Sequence, residues 1–160
     1  MLGTTTLLDE GMLYFDARLS AAHPTVEIRV ADVCRDPDDA VLLAVLAQAL
    51  VETAVREWRA GMPPAPVRTE VLRLAEWQAS KWGLAGELIN PATWAPAPVT
   101  TVLNGLVDHL APVLADLGDL GAVRDLLAAP RRRGTGAARQ RAVLARTGDL
   151  RAVVRDAAVR

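Results

Sequence analysis

The chain has 160 residues, of which 51% are apolar and 23% charged, enough for one ordinary domain with a hydrophobic core. The net charge of −1 excludes a global positive field that would attract nucleic acid or an anionic membrane. The single cysteine, Cys34, excludes an intramolecular disulfide framework and fits a reducing, cytoplasmic location. No apolar stretch reaches the ~18 residues of a membrane span, and residues 1–6 lack signal-peptide character.

Two segments of alternating polarity predict an antiparallel β-hairpin over residues 12–31. In residues 13–18 and 25–30 every second side chain is apolar, which gives each strand one apolar face. If the two strands pair, the face opposite the apolar one brings four charged side chains close together. These are Asp16, Arg18, Glu27 and Arg29.

A long helix is predicted after the hairpin. The run Asp36–Asp39 offers a capping aspartate, a first-turn proline and two acids that complement the helix dipole. The helix should continue through Trp58 and stop at Gly61. Residues 40–54 are apolar almost all round, which predicts a deeply buried helix.

The rest of the chain predicts further helices. A helix over residues 67–82 ends at Gly83, and residues 84–98 are predicted to be a loop because of their prolines. Residues 99–117 have helical apolar spacing, and Pro112 should kink or split that helix. Shorter helices are predicted near residues 119–129, 136–146 and 149–158, with residues 131–136 separating the first two.

This order of elements predicts an α+β chain in which an N-terminal antiparallel hairpin packs on a mainly helical body of about five or six helices. We expect a single domain, 1–160, with the hairpin at 12–31 and the helical body at 36–160. Two strands alone rarely form a stable sheet, and both would have exposed edges. The hairpin is therefore interpreted as the remnant of a larger sheet.

The hairpin also carries the residues most suited to chemistry. Glu27 and Arg29 are two apart on one strand, so their side chains project side by side. A carboxylate there can hold Mg²⁺, and a guanidinium can bridge phosphate or carboxylate oxygens with two hydrogen bonds. By spacing alone, a solvated ion pair is the more common role of Glu-x-Arg on a strand, so both interpretations remain open.

Two other features have a structural and a functional interpretation. Residues 131–136, Arg-Arg-Arg-Gly-Thr-Gly, suggest phosphate binding but lack the strand and the Gly-Lys-Ser/Thr of a P-loop. Basic residues at a helix end also favour the helix dipole. Cys34 has no adjacent activating cluster, and His23 and His109 form no metal motif, so structural or solvated roles are expected for all three.

Four runs of sequence carry a family resemblance. The most specific is residues 8–34, LDEGMLYFDARLSAAHPTVEIRVADVC. The others are residues 66–70 (PVRTE), 77–84 (WQASKWGL) and 133–140 (RGTGAARQ). Together they resemble the C-terminal half of the glutamate–cysteine ligase type 2 family, bacterial carboxylate–amine ligases with a glutamine-synthetase-like fold. The resemblance covers essentially the whole chain.

The resemblance implies an ATP-dependent ligation with Mg²⁺. In that family ATP phosphorylates the γ-carboxylate of glutamate, and an amine, typically that of cysteine, attacks the acyl phosphate. Glu27 resembles a Mg²⁺ ligand, Arg29 the arginine that stabilises the transferring phosphoryl group, and Arg18 a substrate- or phosphate-contacting arginine. Such roles make sense because phosphoryl transfer depends on positioning and charge neutralisation. A substrate or phosphate role is also implied for Arg133, Thr135 and Arg139.

Because the resemblance is to only one half of the family's sequence, it also implies which partners this chain needs. The family's amino-terminal half carries an acidic strand for metal, and this sequence contains no counterpart. We therefore expect the chain to be inactive without an N-terminal half, and to associate with such a half or with itself. The alternative is a non-catalytic helical dimerisation or interaction module derived from the ligase. A small enzyme of different chemistry is disfavoured because no nucleophile–base pair is visible.

Overall fold

The computed structural model describes residues 16–158, which belong to two compact units, one ending at Val33 and the other beginning at Cys34. The first contains β1 (Ala17–Leu19) and β2 (Val26–Ile28). Within the described residues, the second contains six helices and another hairpin: α1 (Pro37–Arg59), α2 (Thr69–Trp82), β3 (Glu87–Asn90), β4 (Ala95–Pro98), α3 (Val99–Leu117), α4 (Leu120–Arg133), α5 (Gly136–Thr147) and α6 (Leu150–Ala157). None of these helices is long and apolar enough to span a membrane. The α+β class is confirmed.

The first hairpin pairs β1 and β2 antiparallel, with Arg18 directly opposite Glu27. The turn is closed by the Ser20 N–H, which donates to the Thr25 carbonyl oxygen at 2.9 Å. Strand β2 is shorter than predicted, β1 ends one residue beyond the predicted Arg18, and residues 13–15 of the predicted first strand lie outside the described residues. That this hairpin packs on the helices within a single domain stays a prediction.

Helix α1 begins and ends where the sequence predicted. The Asp36 carboxylate accepts a hydrogen bond from the Asp38 N–H at 3.1 Å, and Pro37 occupies the first turn. The predicted deep burial of residues 40–54 is wrong. One face packs against α3 and α4, while Leu43 and Leu50 on another face each remain 42% exposed.

Helix α3 supplies half of the residues in the buried core cluster. Leu110 and Leu114 are completely buried, and α1 and α4 both pack against this helix. Pro112 lies inside a continuous helix, so the predicted split is wrong. The helix ends at Gly118, whose φ of 79° lies in the left-handed region that glycine adopts without strain. The buried core cluster comprises Leu42, Ala49, Val107, Leu110, Val113, Leu114, Val123 and Leu127.

The predicted loop over residues 84–98 is wrong, because β3 and β4 form a second antiparallel hairpin there. Its turn is closed by the Trp94 N–H, which donates to the Asn90 carbonyl oxygen at 2.7 Å. Strand β4 reads Ala-Pro-Ala-Pro, a composition that does not signal a strand. In a two-stranded sheet β4 is an edge strand, the place where proline is tolerated.

Helix α2 lies at the periphery of the helical unit and has no buried residue. It contacts β3, where the Gln78 side-chain amide donates to the Glu87 carbonyl oxygen at 2.9 Å. The Lys81 ammonium lies 4.9 Å from the Trp77 ring centre and 5.0 Å from that of Trp82. This arrangement is a cation–π contact on an exposed helix face.

Helix α4 extends further than predicted. Its expected end near residue 129 and the separating segment 131–136 are both wrong, since Arg131–Arg133 form its last turn and Pro130 lies inside it. Three cationic side chains in the last turn favour the helix dipole, and the helix ends at Gly134 with φ of 76°.

Replacing Leu110 by alanine should lower the free energy of unfolding by about 2–5 kcal/mol, because the side chain is fully buried and leaves a cavity. Denaturant unfolding followed by circular dichroism measures this change. The matched Leu74→Ala variant on α2, where the leucine is 55% exposed, should lose less than about 1 kcal/mol. Equal losses in the two variants would contradict a core centred on α3.

Candidate functional site

The β1–β2 hairpin brings Arg18 and Glu27 into direct contact. The Arg18 Nε donates to the Glu27 carboxylate at 2.8 Å, across the position where the two residues face each other. Their side chains are 19% and 38% exposed, whereas the neighbouring Leu19 is 79% exposed. The alternation in the sequence predicted this shared face, and the register explains the contact.

The hairpin electrostatics keep Glu27 ionised. The hydrogen bond from Arg18 holds the pKa of the Glu27 carboxyl below its ordinary value, and the charge of Arg29 acts in the same direction. The Arg29 N–H donates to the Asp16 carbonyl oxygen at 2.8 Å, so these two residues continue the pairing beyond the strands. By alternation, Asp16, Arg18, Glu27 and Arg29 therefore share one face, as predicted.

This hairpin face fits a metal–phosphate site only in part. An ionised carboxylate that accepts one arginine hydrogen bond retains further lone pairs for a cation. Magnesium ions are commonly held by one or two carboxylates together with substrate phosphates. Residues 16–158 contain no group of three or more His, Cys, Asp or Glu side chains that could hold a metal ion. Glu27 thus suits the role of one ligand among several.

The predicted site residue Arg133 lies in the last turn of α4 and contacts the start of α1. One guanidinium nitrogen donates to the Asp36 carboxylate at 2.9 Å, and another donates to the Asp39 carboxylate. The hydrogen bond to Asp39 raises the pKa of Arg133 above its ordinary value. These contacts join the cationic end of one helix to the acidic beginning of another.

Arg139 and Thr135 have structural contacts of the same kind. Arg139 binds the Asp156 carboxylate with two hydrogen bonds of 2.9 and 3.0 Å, and Arg35 donates to the same carboxylate at 2.6 Å. Thr135 is the N-cap of α5, because its hydroxyl accepts from the Ala138 N–H at 3.2 Å. The geometry favours the structural interpretation of this segment, and a substrate or phosphate role for Arg133, Thr135 and Arg139 stays a prediction.

Asp156 is a charged residue that the sequence analysis did not single out. It lies on α6, 17 positions from Arg139 and 121 from Arg35. The hydrogen bond from Arg139 has the largest effect, and together with the one from Arg35 it holds the pKa of the Asp156 carboxyl far below its ordinary value. No local pattern signals this cluster, because its members come together only through the packing of helix ends.

The four sequence runs described above pointed to one class of protein, the carboxylate–amine ligases. The model of glutamate-cysteine ligase family 2 matches residues 1–156. The chain belongs to this family. No solved structure matches the chain significantly.

Several curated relatives are similar over nearly the whole chain. A Streptomyces coelicolor protein named "Putative glutamate--cysteine ligase 2" is 54% identical over 154 residues, which are 96% of this chain and 42% of the relative. One protein of Streptomyces avermitilis and one of Paenarthrobacter aurescens are each named "Putative glutamate--cysteine ligase 2-1". The first is 50% identical over 98% of this chain and 43% of its own length. The second is 48% identical over 98% of this chain and 41% of its own length. The chain thus spans about two-fifths of these relatives.

The ion pairs of Asp156 with Arg35 and Arg139 make the stability of the fold depend on pH in the acid range. A carboxyl whose pKa is lowered by folding stabilises the native state above its unfolded pKa of about 3.9, and this contribution is lost as the pH falls. Asp156→Asn should therefore lower Tm at pH 7, and the difference from the unsubstituted chain should shrink below about pH 4. Thermal unfolding monitored by circular dichroism across pH measures both effects.

The control for this substitution is Asp125→Asn, which changes the same charge at an exposed position of α4. It should leave Tm nearly unchanged at pH 7. A constant Tm difference between Asp156→Asn and the unsubstituted chain at every pH would contradict the role assigned to the Asp156 charge.

Proposed function

We propose that this chain is the carboxyl-terminal part of an ATP-dependent carboxylate–amine ligase of the glutamate–cysteine type and acts together with an amino-terminal segment. The observation that carries the proposal is the half-buried Arg18–Glu27 pair, with Arg29 on the same face, in a chain that belongs to this ligase family. The names of the relatives support glutamate as donor and cysteine as acceptor.

The hairpin residues have distinct parts in this proposal. The Glu27 carboxylate is one Mg²⁺ ligand, and the Arg18 hydrogen bond keeps it ionised and oriented. Arg29 donates hydrogen bonds to the phosphoryl oxygens as charge develops on them. When bound, Mg-ATP would supply the phosphoryl group for transfer to the γ-carboxylate of glutamate, with ADP as leaving group. The amine then forms the amide bond and displaces phosphate, with loss of one proton.

Two observations support the need for another segment. The curated relatives are more than twice as long as the part of them that this chain matches. Helix α1 also has an apolar side that its packing with α3 and α4 leaves exposed. Leu43, Leu50 and Trp58 lie along that side and are 42%, 42% and 77% exposed. We propose that the amino-terminal segment packs against this surface. We also propose that the complete ligase is located in the cytoplasm.

The same exposed surface favours a second candidate function. A non-catalytic module would use the apolar side of α1 to pair with a second copy of this chain, which buries the same residues in a symmetric dimer. Large exposed apolar surfaces commonly mark interaction sites. In this case the charges of the hairpin would have no catalytic part.

Reconstitution distinguishes the two candidates. The chain is mixed with the segment of the Streptomyces coelicolor relative that precedes the matched region, and phosphate release is followed with ATP, Mg²⁺, glutamate and cysteine. We expect activity from the mixture and from neither part alone. The Arg29→Gln variant should reduce kcat by at least about 100-fold, as expected for removal of a donor to developing charge.

The matched control is Arg73→Gln on the exposed surface of α2, which should leave kcat unchanged. A mixture that forms a complex but shows no turnover, or that tolerates Arg29→Gln, would favour the interaction module over the ligase.

The Mg²⁺ requirement tests Glu27 separately. Glu27→Gln in the reconstituted enzyme should lower kcat and raise the half-saturating Mg²⁺ concentration about tenfold or more, because an amide oxygen is a weaker ligand than a carboxylate. Arg18→Gln also removes the 2.8 Å contact but preserves the carboxylate, so it should lower kcat with little effect on Mg²⁺ dependence. An unchanged Mg²⁺ dependence in Glu27→Gln would remove Glu27 from the metal site.

A further inference from the structure

Helices α3 and α4 enclose a cleft of about 320 Å³ on the surface of the helical unit. This volume is at the small end of the range for ligand pockets. None of the ligase residues discussed above lines it. Its lining residues are Asn104, Val107, Asp108, Arg124, Leu127 and Arg131.

The cleft has an apolar floor and polar walls. Val107 and Leu127 form the floor and belong to the buried core, with exposures of 5% and 9%. The polar side chains of α3 lie one turn apart, and those of α4 lie two turns apart, so each pair lies along one side of its helix. These side chains are exposed, and substitutions there should leave the core intact.

The charges in the cleft are only partly paired. The Arg131 guanidinium donates to the Asn104 side-chain oxygen at 2.7 Å, and this contact ties α4 to α3. Asp108 and Arg124 line the same cavity, yet no ion pair joins them within residues 16–158. An anionic and a cationic group therefore share one small cleft and remain separate.

We propose that this cleft binds the zwitterion of an α-amino acid with an aliphatic side chain. The ammonium group would contact Asp108, the carboxylate would contact Arg124, and the side chain would cover Val107 and Leu127. A guanidinium matches a carboxylate with two parallel hydrogen bonds. A ligand with only one of the two charges would leave the other protein group without a partner. The proposal goes beyond the ligase function and uses no residue of the hairpin.

Three matched probes test the proposal on the full chain. L-leucine carries both charges, 4-methylpentanoate lacks the ammonium group, and 3-methylbutylamine lacks the carboxylate. Each is titrated while the backbone amide signals of residues 104–108 and 124–131 are followed by NMR. We expect saturable shifts with L-leucine and an affinity at least about tenfold higher than for either analogue, a difference that one charged contact accounts for.

Variants assign the charges. Asp108→Asn and Arg124→Gln should each weaken L-leucine binding about tenfold or more. Asp125→Asn and Arg132→Gln make the same charge changes on α4 outside the cleft and should have no effect. The proposal is overturned by the absence of saturable shifts, by equal binding of 4-methylpentanoate, or by equal losses in the control variants. Because Mg-ATP and the hairpin are not involved, these outcomes are independent of the ligase test.

Discussion

The burial of α3 is the constraint on which the helical unit depends. Leu110, Val113 and Leu114 are 0–2% exposed, and α1 and α4 both pack against the same helix. An apolar face of this width favours packing on two sides, because each partner helix removes a different strip of it from water. Gly118 then allows the chain to reverse within two residues, so that α4 returns along α3 and forms the cleft between them.

Ion pairs connect the helices that the apolar core holds only weakly. Helix α6 has no buried residue and α5 has one, Val143, so apolar packing constrains them weakly. The Asp156 carboxylate instead receives hydrogen bonds from Arg35 and Arg139. Such partly exposed pairs contribute little individually to stability, but a guanidinium and a carboxylate bind each other only in specific relative orientations. In the segment that resembled a phosphate site, Arg133 contacts a carboxylate at the start of α1 and Arg139 contacts one on α6.

The sequence predicted those features that depend on neighbouring residues. The Asp36 cap and Pro37 located the start of α1, and strand alternation placed Arg18 beside Glu27. Features that depend on tertiary partners escaped it. Strand β4 has no strand-forming composition, and Asp156 acquires its role from an arginine 121 positions away. The exposed side of α1 could not be predicted because an all-apolar helix gives no indication of how many of its sides are covered.

The position of the four tryptophans has a spectroscopic consequence. All lie outside the core, with exposures of 77% for Trp58, 58% for Trp77, 50% for Trp82 and 37% for Trp94. Their indole emission therefore reports the peripheral α2 helix, the end of α1 and the second hairpin, and does not report the packing around Leu110. Regions with few buried contacts open locally at lower free energy than the core. Fluorescence therefore follows these peripheral elements, whereas far-ultraviolet circular dichroism follows all the helices. Coincident transitions of the two signals would show that the periphery and the core unfold together.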